Sequence, residues 1–453
     1  MNEIRAFCDQ WIEDHRTEIL EKLSGLIQIP SVLGPPEADA PFGRDIARAL
    51  DFTLALCREL GFETTNLDGR IGFADYGEGE EMLGILCHLD VVAVGEGWSV
   101  DPFAGEIVGD KMIARGIQDD KGPVIAAIYG LAAVKSASVA FRRRVRLIFG
   151  CDEETQMRCL RHYLDVGERI PELSFSPDAE YPVVNGELHI CSAEYQKEYG
   201  SSIRIQAGTA VNAVPGRAEA YIPIKPDALK GEWPDGCQGK LEACGEGTLV
   251  TMVGKAAHAS VPELGKNALQ AMLVFLAQQD LPDADRAAVS ELVSVFGMTC
   301  HGEGVGLDVE DASGRLTLNL GIMKWNEKGY TLDLDIRAPI SLEESTIREA
   351  LIRMLSSFCR EIFFRFSRGF YLPDSTELVG SLRKIFIERY GEELPSIQIG
   401  GGTYARNLPN AVSFGPLMPG KIDECHMTDE SMTIEDFVFN VKMMADAIRA
   451  LAV

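Results

Sequence analysis

Short apolar runs, each followed by a stretch of helical periodicity, alternate through the early part of this 453-residue chain. Met82 to Cys87 precedes a helical pattern from Pro123 to Ser136, and Val145 to Gly150 precedes another beyond Glu154. Strands and helices in that alternation bury their apolar faces by laying helices on a mainly parallel sheet, so the pattern predicts α/β architecture. Ligands of such sheets collect beyond the carboxyl ends of the strands. His88, Glu153 and Glu154 each follow an apolar run directly, and Asp178 follows Leu173 and Phe175 at another expected strand end.

Two helices are expected ahead of that sheet, from Asp9 to Ile27 and from Arg44 to Leu60, the first stopped by Pro30 and the second by Gly61. The pattern changes after about Glu187. Leu316, Leu318 and Leu320, then Leu332, Leu334 and Ile336, alternate with non-apolar residues around a turn at Asn326 to Gly329. That is the pattern of half-exposed antiparallel strands in an α+β domain. Helical character returns from Glu377 to Arg389, and Ile397 to Gly402 reads as a strand entering a glycine-rich turn. A chain of this length exceeds one ordinary core. The expectation is therefore a discontinuous catalytic α/β domain, residues 1–186 and 374–453, with helices flanking a mainly parallel sheet. Residues 187–373 would form an inserted α+β lid with an antiparallel sheet.

Composition excludes several classes. The 46% hydrophobic and 25% charged residues are those of a globular protein. The formal charge of −26 repels phosphate backbones and anionic lipid, so neither nucleic acid nor a membrane is an expected partner. Residues 1–20 lack the apolar core of a secretory signal, and no uncharged apolar run approaches bilayer length, which places the expectation in the cytoplasm. Eleven cysteines without a C-x-x-C pair argue against a disulfide framework or a zinc ribbon.

His88-Leu89-Asp90 puts an imidazole beside a carboxylate able to serve as its acceptor. Asp119-Asp120 stands at a helix entrance, where acidic residues are also ordinary caps. Taken singly, these groups and Glu153-Glu154 or Asp178 are unremarkable. Together, successive strand ends of one sheet carry the nitrogen and oxygen ligands that zinc and manganese accept, without thiolate. His426 completes the set if the C-terminal part rejoins that sheet.

Six blocks resemble the M20 family of metallopeptidases, and within it the PepV-type dipeptidases and their carnosinase-like relatives. They are His88-Leu89-Asp90-Val91-Val92, Arg115 to Pro123, Asp152-Glu153-Glu154, Ser176 to Pro182, Gly254 to Ser260, and Gly400 to Arg406. Ala93 departs from the proline many relatives carry there. The resemblance implies two divalent ions, zinc first and manganese or cobalt as alternatives. His88, Asp119 and Asp178 would hold one, and Asp119, Glu154 and His426 the other, with Asp119 bridging and a cis bond to Asp120.

Asp90 would orient His88, and Glu153 would act as general base on a metal-bridging water that attacks the amide bond of dipeptides or small peptides. His258 is implied to stabilise the oxyanion. Asn212, Arg337, Gly401, Gly402, Thr403 and Arg406 are implied in substrate binding, although Arg337 could equally pair with Asp335 or Glu343. A long lid favours a monomer over a homodimer. Two alternatives stay open: deacylation of N-acyl amino acids at the same site, and a metal-dependent binding protein without turnover. His15, His162, His189 and His301 match no site motif and are expected to be solvated or hydrogen-bonded.

Overall fold

A computed structural model describes residues 2–453. The chain divides into two units, the first made of residues through Asn185 with Leu372–Ile397 and Thr403–Val453, the second of Gly186–Tyr371 and Gln398–Gly402. Gly401 and Gly402, placed with the catalytic segments by the sequence expectation, thus cluster with the second unit. The attachment is physical: Leu188 donates its amide to the Ile399 carbonyl at 3.0 Å, and Arg337 donates to the Gly400 carbonyl.

The first unit is built on a sheet in the order Glu63–Leu67, Ile71–Tyr76, Arg143–Gly150, Glu81–His88, Leu173–Ser176, Ala411–Ser413. The last four strands run parallel to one another, while the first two pair antiparallel. Glu81–His88 lies in the interior of this sheet and is buried at every position after Glu81, which is why it reads as an unbroken apolar run. The helix Lys121–Ser136 is buried from Lys121 to Val134, and the C-terminal helix Ile434–Ala452 packs along it. Their approach depends on Gly130, where a Cβ would stand 2.7 Å from Met444 Cβ and 2.9 Å from the Ala445 nitrogen. Thr433 caps the C-terminal helix, accepting from the Asp436 amide at 3.0 Å.

The single helix expected from Asp9 to Ile27 is two helices, Asn2–Asp14 and Arg16–Ile27. His15 breaks them: its Nδ1 lies 2.8 Å from the Trp11 carbonyl and its ring stacks on Trp11, so a side chain competes for a carbonyl of the helical ladder.

The second unit carries an eight-stranded sheet, antiparallel throughout, in the order Gln238–Cys244, Gly247–Val253, Arg217–Ile222, Arg204–Ala207, Thr317–Asn326, Gly329–Ala338, His189–Glu198, Arg360–Ser367. Helices Ala268–Leu276, Asp283–Phe296 and Glu344–Leu355 bury their apolar residues in its core. The expected hairpin is present, with Asn326 Oδ1 accepting the Lys328 amide at 2.8 Å in its turn. Its strands are less exposed than their alternation suggests. Thr317 and Asn319 are buried because Thr317 Oγ1 donates to Ala259 and Asn319 Nδ2 donates to Val211 and Ala213. Among the described residues no helix is long and apolar enough to cross a membrane.

Candidate metal centre

His88 is the last residue of its strand, Asp152-Glu153-Glu154 follow the end of the adjacent parallel strand, and Asp178 lies two residues beyond a third. Asp119 stands at the entrance to the buried helix Lys121–Ser136. The sheet register therefore delivers these groups to one rim, and His426 reaches them from a loop in which it takes a left-handed φ of 63°. Single ligand atoms of His88, Glu153 and Asp178 lie within 4.8 Å of one another, and so do those of His88, Asp119 and Glu154. His88 Nε2 is 2.7 Å from Asp119 Oδ1 and 3.8 Å from Asp178 Oδ2. His426 Nε2 is 3.0 Å from both Asp119 Oδ2 and Glu154 Oε2. Asp119 thus touches both imidazoles with different oxygens. The Asp119-Asp120 peptide bond is cis.

The buried Glu153 Oε1 and Glu154 Oε1 have no hydrogen-bond partner, and His88 Nε2 and Asp119 Oδ1, though 2.7 Å apart, do not meet in hydrogen-bond geometry. Four orphaned donors and acceptors converging in one buried spot are costly for a protein alone. They suit a divalent cation, which needs lone pairs from imidazole and carboxylate rather than protons between them. The titration directions agree. Burial pushes the Asp178 carboxyl up, and Asp119 pushes it further, to about 8. Burial, joined by Asp178, Glu154 and Asp119, also raises Glu153 well above the carboxylate range. Burial works against charge on His88 too, but Asp119, Asp90 and Asp178 outweigh it and hold the imidazole well above its usual value. Each shift marks negative charge crowded where a cation would relieve it.

The surrounding shell shows how the ligands are aimed. His88 Nδ1–H donates to the backbone carbonyl of Asp90 at 2.9 Å, which leaves the Nε2 lone pair toward the centre. The Asp90 carboxylate, expected to orient His88, stands 3.6 Å from that nitrogen and also accepts the amides of Glu153 and Glu154, both at 3.1 Å. The strand ends at His88, so Asp90 no longer shares its face and its side chain reaches the neighbouring strand end. Asp120, buried, accepts the His88 amide at 2.8 Å. Asp152 grips the far side of the same turn, accepting from Arg158 Nη2 at 2.7 Å and from the Arg158 amide at 2.9 Å. Gly150 leaves room for Tyr404, whose hydroxyl would lie 1.8 Å from a Cβ there and whose ring meets His88 edge-on at 6.3 Å.

A family model described as peptidase family M20/M25/M40 matches residues 84–450. The chain belongs to that family. Curated relatives of this M20 chain include "Putative dipeptidase YtjP" of Bacillus subtilis (strain 168), 35% identical over 455 residues, covering 96% of the chain and 98% of that protein. Another is "Putative dipeptidase SH1171" of Staphylococcus haemolyticus (strain JCSC1435), 30% identical over 463 residues and covering 98% of each. Among solved structures, human carnosine dipeptidase 1 matches with a TM-score of 0.61 at 12% identity, covering 99% of this chain and 98% of that one. The dipeptidase Dug1p of Saccharomyces cerevisiae matches with a TM-score of 0.59 at 14% identity, covering 99% of each. At those identities the structures speak for the shared fold, a mixed α/β unit with a mainly parallel sheet joined to an antiparallel one.

Within the second unit of this M20 chain, Ala213–Val214 pairs with Ala257–His258, with Ala213 opposite His258 and the Asn212 carbonyl accepting the Ala259 amide at 2.9 Å. His258 Nδ1 lies 2.7 Å from Ser260 Oγ, and burial together with the Arg337 charge lowers its pKa. Arg337 is buried and paired in two-pronged fashion with Asp335, at 2.7 and 2.9 Å, rather than with Glu343. In the first unit Thr403 is a cap, accepting from the Ala405 amide at 3.1 Å with its hydroxyl 2.9 Å from Ser413 Oγ, and Arg406 lies in the short helix Tyr404–Asn407 that it opens. The histidines without site motifs are hydrogen-bonded: His15 to Trp11, His162 to Asp68, His189 to Gly369 and His301 to Leu316.

Sequence reading assigned no role to Asp120, Gln118 or Glu430. Glu430 is fully buried and accepts from Arg115 Nη1 at 2.6 Å. Its position four residues after His426 was the only local signal.

Proposed function

We propose that this chain is a dinuclear metal-dependent hydrolase of the amide bond in dipeptides or other small peptides, with Glu153 as its base. The observation that carries the reading is the set of orphaned buried atoms on His88, Asp119, Glu153 and Glu154. His88, Asp119 and Asp178 would hold one ion and Asp119, Glu154 and His426 the other, their imidazole and carboxylate donors serving zinc, manganese and cobalt alike. When bound, two such ions supply Lewis acidity that lowers the pKa of a water and polarises a carbonyl. The protein's own work is then positional and protolytic. Asp119 spans both imidazoles, and Asp90 fixes the turn so that neighbouring glutamates serve as ligand and base. Glu153, as the carboxylate, takes the proton of the attacking water and delivers it to the departing amine.

The names of curated relatives support peptides as substrates. The first unit would be the catalytic domain and the second the lid, with His258 stabilising the oxyanion and Asn212 and Arg337 binding substrate. Gly401, Gly402, Thr403 and Arg406 complete the proposed substrate contacts.

The test is turnover of a dipeptide panel by metal-stripped protein reloaded with zinc, manganese or cobalt, beside N-acetyl and N-succinyl amino acids. Glu153→Gln should keep both ions and lose about 10²- to 10⁴-fold in kcat. Preference for the N-acyl compounds would assign a deacylase, and a variant that sheds both ions would show that Glu153 is a ligand.

A further inference from the structure

One ligand of the proposed centre differs from the rest. His88, Glu154 and Asp178 project from strand ends, and Asp119 from the start of a buried helix, but His426 sits on a loop and its side chain is 54% exposed against 1% for His88. A loop residue aimed by itself would sample many directions, so something must hold the segment. Glu430, four residues on, is the first hold. Its buried carboxylate accepts from the amides of Gly116 at 3.1 Å, Gln118 at 2.8 Å and Asp119 at 3.3 Å, besides Arg115. Gln118 is the reciprocal hold. Its Nε2 donates to the Ser431 carbonyl at 2.7 Å, and its Oε1 accepts the Glu424 amide at 3.2 Å. Arg115 Nη2 also donates to the Met427 carbonyl at 3.2 Å. Every one of these bonds joins residues 115–119 to residues 424–431, the two segments that carry Asp119 and His426.

We infer that Glu430 and Gln118 are positioning residues that lock the Asp119 and His426 segments together, and that this lock sets the affinity for the ion held by Asp119, Glu154 and His426 more strongly than for the ion at His88, Asp119 and Asp178, which shares only Asp119 with it. The inference rests on the two-ion reading proposed above. Neither side chain is placed among the ligands, so each acts through the segments it joins. Of the other ion's proposed ligands, the strand-end His88 and Asp178 have no bond to the lock, His88 being held by Asp90 and Asp120, and only the bridging Asp119 belongs to it.

The experiment titrates metal-stripped protein with Co²⁺, following heat and the visible spectrum, in the wild type, Gln118→Met, Glu430→Gln, His426→Ala and the Gln118→Met/His426→Ala double variant. Gln118→Met keeps length and removes all three side-chain hydrogen bonds, those with the Ser431 carbonyl, the Glu424 amide and the Cys425 thiol. Glu430→Gln opposes an amide to several backbone N–H groups and is the riskier fold, so Gln118→Met carries the decision. Wild type should bind two ions. Gln118→Met should weaken one ion about tenfold or more, the scale of its lost neutral hydrogen bonds, and the other by much less. Its more weakened ion should be the one His426→Ala loses, and adding Gln118→Met to His426→Ala should shift the remaining ion no more than Gln118→Met alone shifts it. Two unchanged ions, two equally weakened ions, or a metal-free Gln118→Met that has lost its far-ultraviolet circular dichroism would each overturn the inference. A wild type that binds fewer than two ions would instead overturn the two-ion reading.

Discussion

Replacing Asp90 with asparagine separates two ways of building the centre. The Asp90 carboxylate accepts the Glu153 and Glu154 amides, each at 3.1 Å, and lies farther, at 3.6 Å, from His88 Nδ1. Asparagine keeps one acceptor and turns an NH₂ toward the other amide, so at least one charge-assisted hydrogen bond is lost. Such a bond is worth about 1.5–3 kcal/mol, or roughly 10- to 150-fold in an equilibrium. The cost falls on the turn rather than on the whole fold, because Asp152 still holds its other side through Arg158. His88 keeps its tautomer, since the Asp90 group that receives its Nδ1–H is a backbone carbonyl the substitution leaves in place. Glu153 and Glu154 should therefore be displaced together. The expected outcome is a fall of about 10- to 100-fold in kcat with little change in KM, as for an interaction needed in the transition state. The ion at Glu154 should weaken while the ion at His88 and Asp178 stays. Steady-state dipeptide hydrolysis with Co²⁺ titration measures both. If Asp90→Asn sheds the His88 ion and keeps the one at Glu154, the longer contact to the imidazole is the one that matters and the reasoning fails.

Gly130→Ala gains up to about 1 kcal/mol of helix propensity, yet its Cβ would meet Met444 and the Ala445 backbone below 3 Å. Overpacking of about 1–3 kcal/mol should win, lowering the thermal midpoint by a few degrees; a rise would show that the C-terminal helix can move aside. Asn319→Ala strips two hydrogen bonds from the carbonyls of Val211 and Ala213. It should cost about 1–3 kcal/mol in denaturant unfolding and raise hydrogen exchange in the segment around Asn212. Metal removal should make stability fall with rising pH. Asp178 and His426 have folded values near 8 and 11, above the unfolded values of about 3.9 and 6.5, so the folded chain keeps protons that the unfolded chain releases across those windows. Their stabilisation is complete below the unfolded values and is lost as pH climbs through the folded ones. Bound cations replace those protons, so the midpoints of stripped and loaded protein should diverge as pH rises; convergence would contradict the assignment.

What could be seen in the sequence was residue type at a strand end. His88, Glu154 and Asp178 stand where apolar runs stop, and a parallel sheet brings such stops to one rim whatever the loops between them do. What could not be seen was which backbone each acid would serve. Asp90, Asp120, Asp152 and Glu430 resemble ligands in sequence, yet each is taken up by amides or guanidinium groups, most of them far along the chain. Such pairings depend on loop paths that periodicity does not encode. Thr317 and Asn319 were misread for the same reason: polar positions in an alternating strand suggest solvent, but here they meet carbonyls of a segment folded over them. The break at His15 had a local cause that helical periodicity ignores, a side chain capping a carbonyl one turn back.

His426 stands some 250 residues after Asp178, with the entire second unit between them. On a ribosome releasing about 5–20 residues each second, that interval lasts on the order of ten seconds or more. Throughout it the emerging polypeptide carries four of the five proposed ligands but lacks the fifth. A product cut short before His426 would accordingly be a partial chelator without a finished reaction centre, and activity would arise only with translation of the final segment.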